Sequence, residues 1–162
     1  LLLQQMLQAG TLARSGAHLH LPTHAATLQG LEKQLWERIK PWLDEAGIAP
    51  PKLSDLFLRD RNLRQDQVMR TLERLQRMGK VHLVGADYAI QTQHMLELAL
   101  ISQRLAERDA NQRLNVKDLR DATGMSRHLS VPLVEYFDRI GFTRRDEVGR
   151  HIKRDPRRMF GA

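Results

Sequence analysis

One figure recurs three times in this chain and limits its fold more than any other feature. A helix with an apolar stripe ends in Gly, and a short two-stranded ribbon with a second Gly at its tip follows. The copies read LLLQQMLQAGTLARSGAHLHLP, RTLERLQRMGKVHLVGADYAI and PLVEYFDRIGFTRRDEVGRHIKR. The helix-ending residues are Gly10, Gly79 and Gly141, and the ribbon tips are Gly16, Gly85 and Gly149. Seven residues before the first set stand Leu3, Leu72 and Val134; four before stand Met6, Leu75 and Phe137; one before stand Ala9, Met78 and Ile140. That is a single apolar stripe at helical spacing, kept in register. Each Gly falls where a helix ends in a left-handed residue, which Gly adopts without a Cβ clash.

The copies are 69 and then 62 residues apart, so each step is one small module. In the second, a helix carries Leu31, Leu35, Ile39 and Leu43, a short segment LSDLFL follows Pro50 and Pro51, and a long helix is expected over 65–78. In the third, a helix carries Met95, Leu98, Ser102 and Leu105, the short segment is NVKDLRD, and the long helix is expected over 126–140. Leu56 and Leu119 hold matching places in the short segments, and Asn115 and Ser126 suit helix N-caps. The ribbons are expected over 80–84 with 87–91 and over 142–145 with 150–154. Three helices and a hairpin wing per unit describe a winged helix. The expected fold class is therefore α+β, mainly helical, in tandem winged-helix domains. Residues 1–30 would be the end of a preceding module, 31–91 a whole one and 92–162 the terminal one. Cores this small gain from packing on their neighbours.

The chain opens without Met and inside a helix, so a C-terminal piece of a longer protein is expected. No apolar run reaches membrane-spanning length and no secretory pattern is present. With no Cys there is neither a disulfide nor a thiolate metal site, which points to the cytoplasm. A monomer without a membrane partner is expected.

Charge is distributed unevenly. The chain has net charge +7, which favours a polyanionic partner. Residues 1–30 hold one basic residue and no acid, 31–99 carry net +1 and 100–162 carry net +5. Arg144, Arg145, Arg150, Lys153, Arg154, Arg157 and Arg158 crowd the last ribbon and tail against Asp146, Glu147 and Asp155. On the wing of a fold that binds nucleic acid with its wing, such a run marks a contact surface.

No catalytic signature is present: no phosphate-cradling Gly-rich loop, no nucleophile elbow, no HExxH helix. An enzyme is not expected, nor a cofactor. His18, His20 and His24 have metal-like spacing, but a zinc site needs convergent ligands with second-shell support. An exposed wing is the expected place for them, and no metal site is assigned. Trp36 and Trp42 suit core or inter-module packing, as do Met69, Met78 and Met95.

The binding candidates lie in the last module. Ser126, Arg127 and His128 open its long helix, where free backbone N–H groups favour a phosphate and Arg127 adds a fork of donors. Lys117 and Arg120 stand one turn apart on the short helix. Arg144 and Arg145 open the wing, and Arg150 and Lys153 follow its tip. The competing expectation is that some of these cations pair with Asp118, Asp121, Glu135 or Asp138 and only solubilise the module. From these residues alone a duplex-DNA regulator and a winged-helix interaction scaffold stand beside an RNA binder.

The segment SRHLSVPLVEYFDRIGFTRR, with its wing tip, final basic strand and the preceding NVKDLRDATG, resembles the last winged helix of the bacterial selenocysteine-specific elongation factor. LSDLF and VMRTLERLQRMGKVHLVG resemble the domain before it. The resemblance implies a fragment whose last winged helix binds the selenocysteine insertion hairpin in mRNA and tethers the factor near an in-frame UGA. The GTPase part would lie outside this chain. The basic tail DPRR leaves room for a ribosome contact. In the resemblance Arg127 matches the basic residue at the helix start, Arg144 and Arg145 the pair that opens the wing, and Arg150 a basic position after the tip. His128 and Leu129 stand where some members have Lys–Tyr.

Overall fold

The computed structural model describes residues 28–161, together with the backbones of two short strands, β1 (Ala13–Ser15) and β2 (His18–His20). These two pair antiparallel with Ser15 opposite His18, so the first copy ends in a ribbon as expected. Gly10, Gly16 and His24 lie outside the described residues.

The second copy begins with α1 (Gly30–Ala46), which buries Leu35, Ile39 and Leu43 at a four-residue spacing. α2 (Leu53–Arg59) adds Leu53 and Leu56, and α3 (Gln65–Arg77) adds Val68, Leu72 and Leu75. Trp36, Trp42, Met69 and Met78 pack around this core, partly buried. The ribbon is β3 (Val81–Val84) against β4 (Tyr88–Gln91), with Val84 opposite Tyr88. The third copy follows at once: α4 (Thr92–Arg108), α5 (Val116–Thr123), α6 (Arg127–Arg139), then β5 (Thr143–Arg145) paired with β6 (Arg150–Ile152), and a last turn, α7 (Pro156–Phe160). Met95 is fully buried in its core, and Asn115 caps α5 by accepting from Lys117 N at 3.0 Å.

Both helix-ending glycines close the same motif. Gly79 has φ +75° and Gly141 φ +79°. Lys80 N donates to Leu75 O and Gly79 N to Gln76 O; Phe142 N donates to Phe137 O and Gly141 N to Asp138 O. These paired bonds satisfy carbonyls that a helix end would otherwise leave open. In the third copy the residues that bracket the motif are Phe137 and Phe142, whose rings meet edge-on at 4.8 Å. The start of each short helix is also pinned to its wing. Leu53 N donates to Asp87 O at 2.8 Å, and Leu114 N donates to Arg150 O at 2.7 Å.

The second copy's ribbon serves two cores. Successive strand residues face opposite sides. Val81, Leu83 and Ala89 pack with the helices of their own module, whereas Val84, Tyr88 and Ile90 pack into the core of the next. β4 enters α4 with no residue between. The tip glycine, Gly85 at φ +58°, lies so close to α6 that an added Cβ would stand 3.1 Å from Pro132 Cβ. A wing enclosed in this way has no use for charge, which accounts for the apolar KVHLVGADYAI.

A polar chain crosses the same junction. His82 Nδ1 lies 2.7 Å from Tyr136 Oη, and His82 Nε2 lies 3.2 Å from Thr92 Oγ1. Thr92 Oγ1 donates to Gly79 O at 2.5 Å, so its proton is committed there. His82 Nε2–H must then donate to Thr92, which leaves Nδ1 to accept from Tyr136. The edge of the Phe160 ring closes over His82 at 5.5 Å. Burial lowers the His82 pKa to about 4 from its ordinary 6.5. The unfolded chain therefore takes up a proton that the folded junction refuses. Stability is whole above pH 6.5 and declines as pH falls toward 4, by about 2 kcal/mol at pH 5. Thermal unfolding at pH 7.5 and pH 5 should show that loss in the native protein and little of it in His82→Phe. Equal losses in the two would remove His82 as the cause.

Candidate nucleic-acid interface

The expected contact residues divide between two ends of α6. At its start the chain leaves α5 through Gly124, which is left-handed at φ +71°, and re-enters helix at Arg127. Ser126 holds the N-cap position with extended backbone, yet its hydroxyl caps no amide. Ser126, Arg127 and His128 are all exposed. Exposed N–H groups and the positive end of a 13-residue helix meet the Arg127 guanidinium here. Arg120 is exposed in the last turn of α5, and no carboxylate pairs with it or with Arg127 among the described residues. Lys117 lies 3.6 Å from Asp121 with both side chains largely in solvent, a pairing too weak to withhold it from a phosphate.

The wing is tied to the segment before α5. Leu114 is bonded to Arg150 of β6, and Arg113 lies across the tip, where a Cβ on Gly149 would stand 2.9 Å from Arg113 Cδ. Arg113 is held by Asp109 at 3.1 Å. Asp146 shapes the tip by accepting from Val148 N at 2.9 Å and Gly149 N at 3.0 Å. These bonds hold its carboxyl below the usual range. Arg144 and Arg145 are exposed, and their partners in the register are His151 and Arg150. They therefore face opposite sides of the ribbon, Arg144 on the side of His151 and Arg145 on the side of Arg150, toward α6.

Two expected contacts are placed elsewhere. Arg150 is only 9% exposed and does not belong to the surface. Its Nε donates to both oxygens of Asp138, at 2.9 and 3.0 Å, and Nη2 donates to Oδ2 at 2.8 Å. Thr143 Oγ1 donates to the same carboxylate at 2.5 Å. Burial acts to raise the Asp138 pKa, but the bonds from Arg150 and Thr143 outweigh it and the net shift is downward. Arg150 is thus a structural cation that fastens the wing to α6. Lys153 is exposed, but its N–H bonds to Phe142 O at the base of the wing, beside the C-terminal end of α6. Arg127 stands at the other end, about 20 Å along the helix.

Sequence reasoning missed the His82–Tyr136 contact, whose members are 54 residues apart and share no local pattern. It placed Arg157 and Arg158 in the basic tail without foreseeing that both are exposed on an anchored turn. Among the described residues no cluster could hold a metal ion, and no helix is long and apolar enough to cross a membrane.

Comparison with known proteins sets these features beside one family. Residues 107–152, spanning α5, α6 and the last wing, match the family model described as elongation factor SelB, winged helix. The chain is 30% identical over 159 residues to the selenocysteine-specific elongation factor of Escherichia coli, covering 96% of this chain and 24% of that protein. It is 27% identical over 154 residues to the factor of Haemophilus influenzae, covering 94% and 24%. The chain thus spans about a quarter of the length of the relatives it matches. Among solved structures, the mRNA-binding domain of E. coli SelB in complex with SECIS RNA aligns with TM-score 0.67 and 24% identity, over 78% of this chain and all of that one. A bacterial selenocysteine-specific elongation factor, EF-Sec, aligns with TM-score 0.57 and 17% identity, over 94% and 24%. At these identities the structural likeness shows the fold: tandem winged helices. Taken together, the matches make nearly the whole chain similar to a stretch of the selenocysteine-specific elongation factors, with the winged-helix model matched over residues 107–152.

Proposed function

We propose that this segment binds the selenocysteine insertion hairpin of an mRNA through its last winged helix and so tethers its parent factor near a UGA codon. The role is binding, not catalysis, and its setting is the cytoplasm, where translation factors work. The observation that carries the reading is the set of exposed cations near the start of α6 and on the strongly basic last wing, Arg120, Arg127, Arg144 and Arg145, free of the ion pair that occupies Arg150. A-form RNA hides its base edges in a deep groove, so sequence is read from a loop or an extruded base. Phosphate contacts beside the loop then set register. Ser126, Arg127 and His128 would hold the backbone near the loop, and Lys117 and Arg120 would follow it along α5. Arg144 and Arg145 would meet it at the wing, one from each face of the ribbon.

Arg127→Ala is expected to weaken hairpin binding about tenfold and to lower the slope of log affinity against log salt by about 0.7–0.9, one counterion's worth. Arg144→Ala should do the same. Fluorescence anisotropy across a salt series would measure both. Unchanged affinity and slope in the two variants would discard this surface, and preference for duplex DNA over the hairpin would discard the RNA reading.

A further inference from the structure

We propose that His151 is a positioning residue for RNA binding: as the imidazolium it joins Gln112 to Asp146, fixes the tip of the last wing and strengthens the grip on the hairpin. The inference rests on the hairpin reading above and deepens it. It adds no second surface, because His151 stands on β6 directly opposite Arg144.

The ring lies between two acceptors. His151 Nδ1 is 3.3 Å from Gln112 O, and His151 Nε2 is 3.3 Å from Asp146 Oδ2. A carbonyl and a carboxylate can only accept. A neutral imidazole has one N–H, so it serves one of them and turns a lone pair on the other. Only the doubly protonated ring serves both. Asp146 is ionised: Gly149 N and Val148 N donate to its Oδ1, and together with the charge of His151 they hold the carboxyl below its ordinary range. One carboxylate oxygen thus shapes the tip while the other faces the ring.

The other acceptor is fixed by the loop that carries it. Gln112 has φ +56°, a left-handed conformation that residues with a Cβ seldom adopt. Asp109 maintains it. Its Oδ2 accepts from Asn111 N at 3.0 Å and Arg113 N at 3.1 Å, and its carbonyl accepts from Gln112 N at 3.0 Å. Leu114 N then donates to Arg150 O at 2.7 Å, one residue before His151. A strained residue persists only where its surroundings over-determine it. Here the outcome is a carbonyl held against β6.

The charges around the ring set the direction of the effect. Asp146 favours the imidazolium, and Arg144 across the ribbon opposes it. Arg113 is engaged by Asp109 at 3.1 Å. Glu147 at the tip and Arg104, Glu107 and Arg108 toward the end of α4 are exposed, and none pairs with the ring among the described residues. A phosphate on Arg144 removes the one opposing charge. Hairpin binding and protonation of His151 therefore favour each other, and linkage makes the effect reciprocal. Protonation also cancels the charge of Asp146 on a wing that has to meet phosphates.

The test reads binding of the insertion hairpin to the whole chain by anisotropy at pH 8, 7 and 6 and constant ionic strength. Histidine changes charge across that range. Native affinity should rise about three- to fivefold from pH 8 to pH 6, a modest gain because Asp146 is half exposed and its pair with the ring is screened. His151→Gln should stay flat, as weak as the native protein at pH 8. His151→Arg, a permanent cation with a fork of donors, should stay flat and as tight as the native protein at pH 6. A purely structural role for the ring would not produce that rescue. His128→Gln should keep the rise, because that imidazole belongs to the same surface but meets neither acceptor. In RNA-free protein the Val148 and Gly149 amides should exchange more slowly than in His151→Gln at pH 6 and equally at pH 8. An equal rise in the native and His151→Gln proteins would overturn the proposal, and so would tip exchange that ignores His151. If the tip responds as expected while the loop sequence proves irrelevant to binding, the hairpin reading fails and the hold of His151 on the wing stands.

Discussion

Phe142→Ala should cost about 4 kcal/mol of stability. The ring is fully buried, and it meets Phe137 edge-on at 4.8 Å and Phe160 at 5.8 Å. Truncation removes the apolar area and leaves a void that the two remaining rings cannot fill without moving the wing, because Phe142 sits between Gly141 and β5. Its carbonyl also accepts from Lys153 N at 2.8 Å, so the base of the ribbon loosens with it. Phe142→Leu should lose only about 1–1.5 kcal/mol, since most of the volume remains. Urea unfolding followed by circular dichroism would measure both. A loss below 1 kcal/mol for the Ala variant would mean that the aromatic cluster does not hold the wing. RNA binding should weaken along with stability in this variant, which separates it from Arg127→Ala, where folding is untouched.

The frame of this fold was legible because it is written locally. A Gly after an apolar stripe needs only its own neighbours to form the cap, and Gly79 and Gly141 both adopt the left-handed conformation. In the second and third copies Leu72, Leu75, Val134 and Phe137 of the stripe are buried, and Met78 and Ile140 are partly buried; Leu3, Met6 and Ala9 lie outside the described residues. Element ends followed to within a residue or two for α3 and α6. What was not legible depends on register and on distance along the chain. The ribbon of the second copy reads in sequence only as a hairpin over 80–84 and 87–91. Its pairing of His82 with Ile90 and Val84 with Tyr88 gives it a second apolar face that lines the next core. His82 and Tyr136 belong to different copies, so nothing near either announces their bond.

The binding residues were legible as a set but not in their arrangement. The start of α6 and the first wing strand could be read because position in the module fixes their exposure. Of the four acids weighed as neutralisers, Asp121 does reach Lys117 and Asp138 does hold Arg150. The two pairs differ in burial, and burial decides the outcome. Lys117 and Asp121 are 79% and 67% exposed and interact weakly. The Arg150 and Asp138 side chains are 9% and 28% exposed, and two guanidinium nitrogens bond the carboxylate. Strand alternation was the missing signal: Arg150 stands opposite Arg145 on the face that carries Thr143, toward α6. Lys153, the residue after Ile152, lies at the base of the wing and joins the tail cations.

Arg150→Ala tests that distinction directly, and the expected result is a destabilisation of about 3 kcal/mol. The value sits at the low end for breaking a buried pair, because Asp138 keeps some contact with water. Removing the guanidinium strands a carboxylate that then has only the Thr143 hydroxyl. The sign with pH follows from the lowered Asp138 pKa. A carboxyl held below its ordinary 3.8 contributes its stability above that value and loses it as pH falls through the folded pKa. The gap between native protein and Arg150→Ala should therefore be full near pH 7 and close below about pH 3.8. Asp138→Asn/Arg150→Ala should regain part of the loss, because the stranded charge is gone. Arg127→Ala should show no gap at any pH, since its side chain is exposed and pairs with no acid. An Arg150→Ala protein as stable as the native one, but tenfold weaker on the hairpin, would return Arg150 to the RNA surface. A loss of stability with hairpin affinity kept at low temperature, where the module stays folded, would leave it as the cation that holds the wing in place while its neighbours bind.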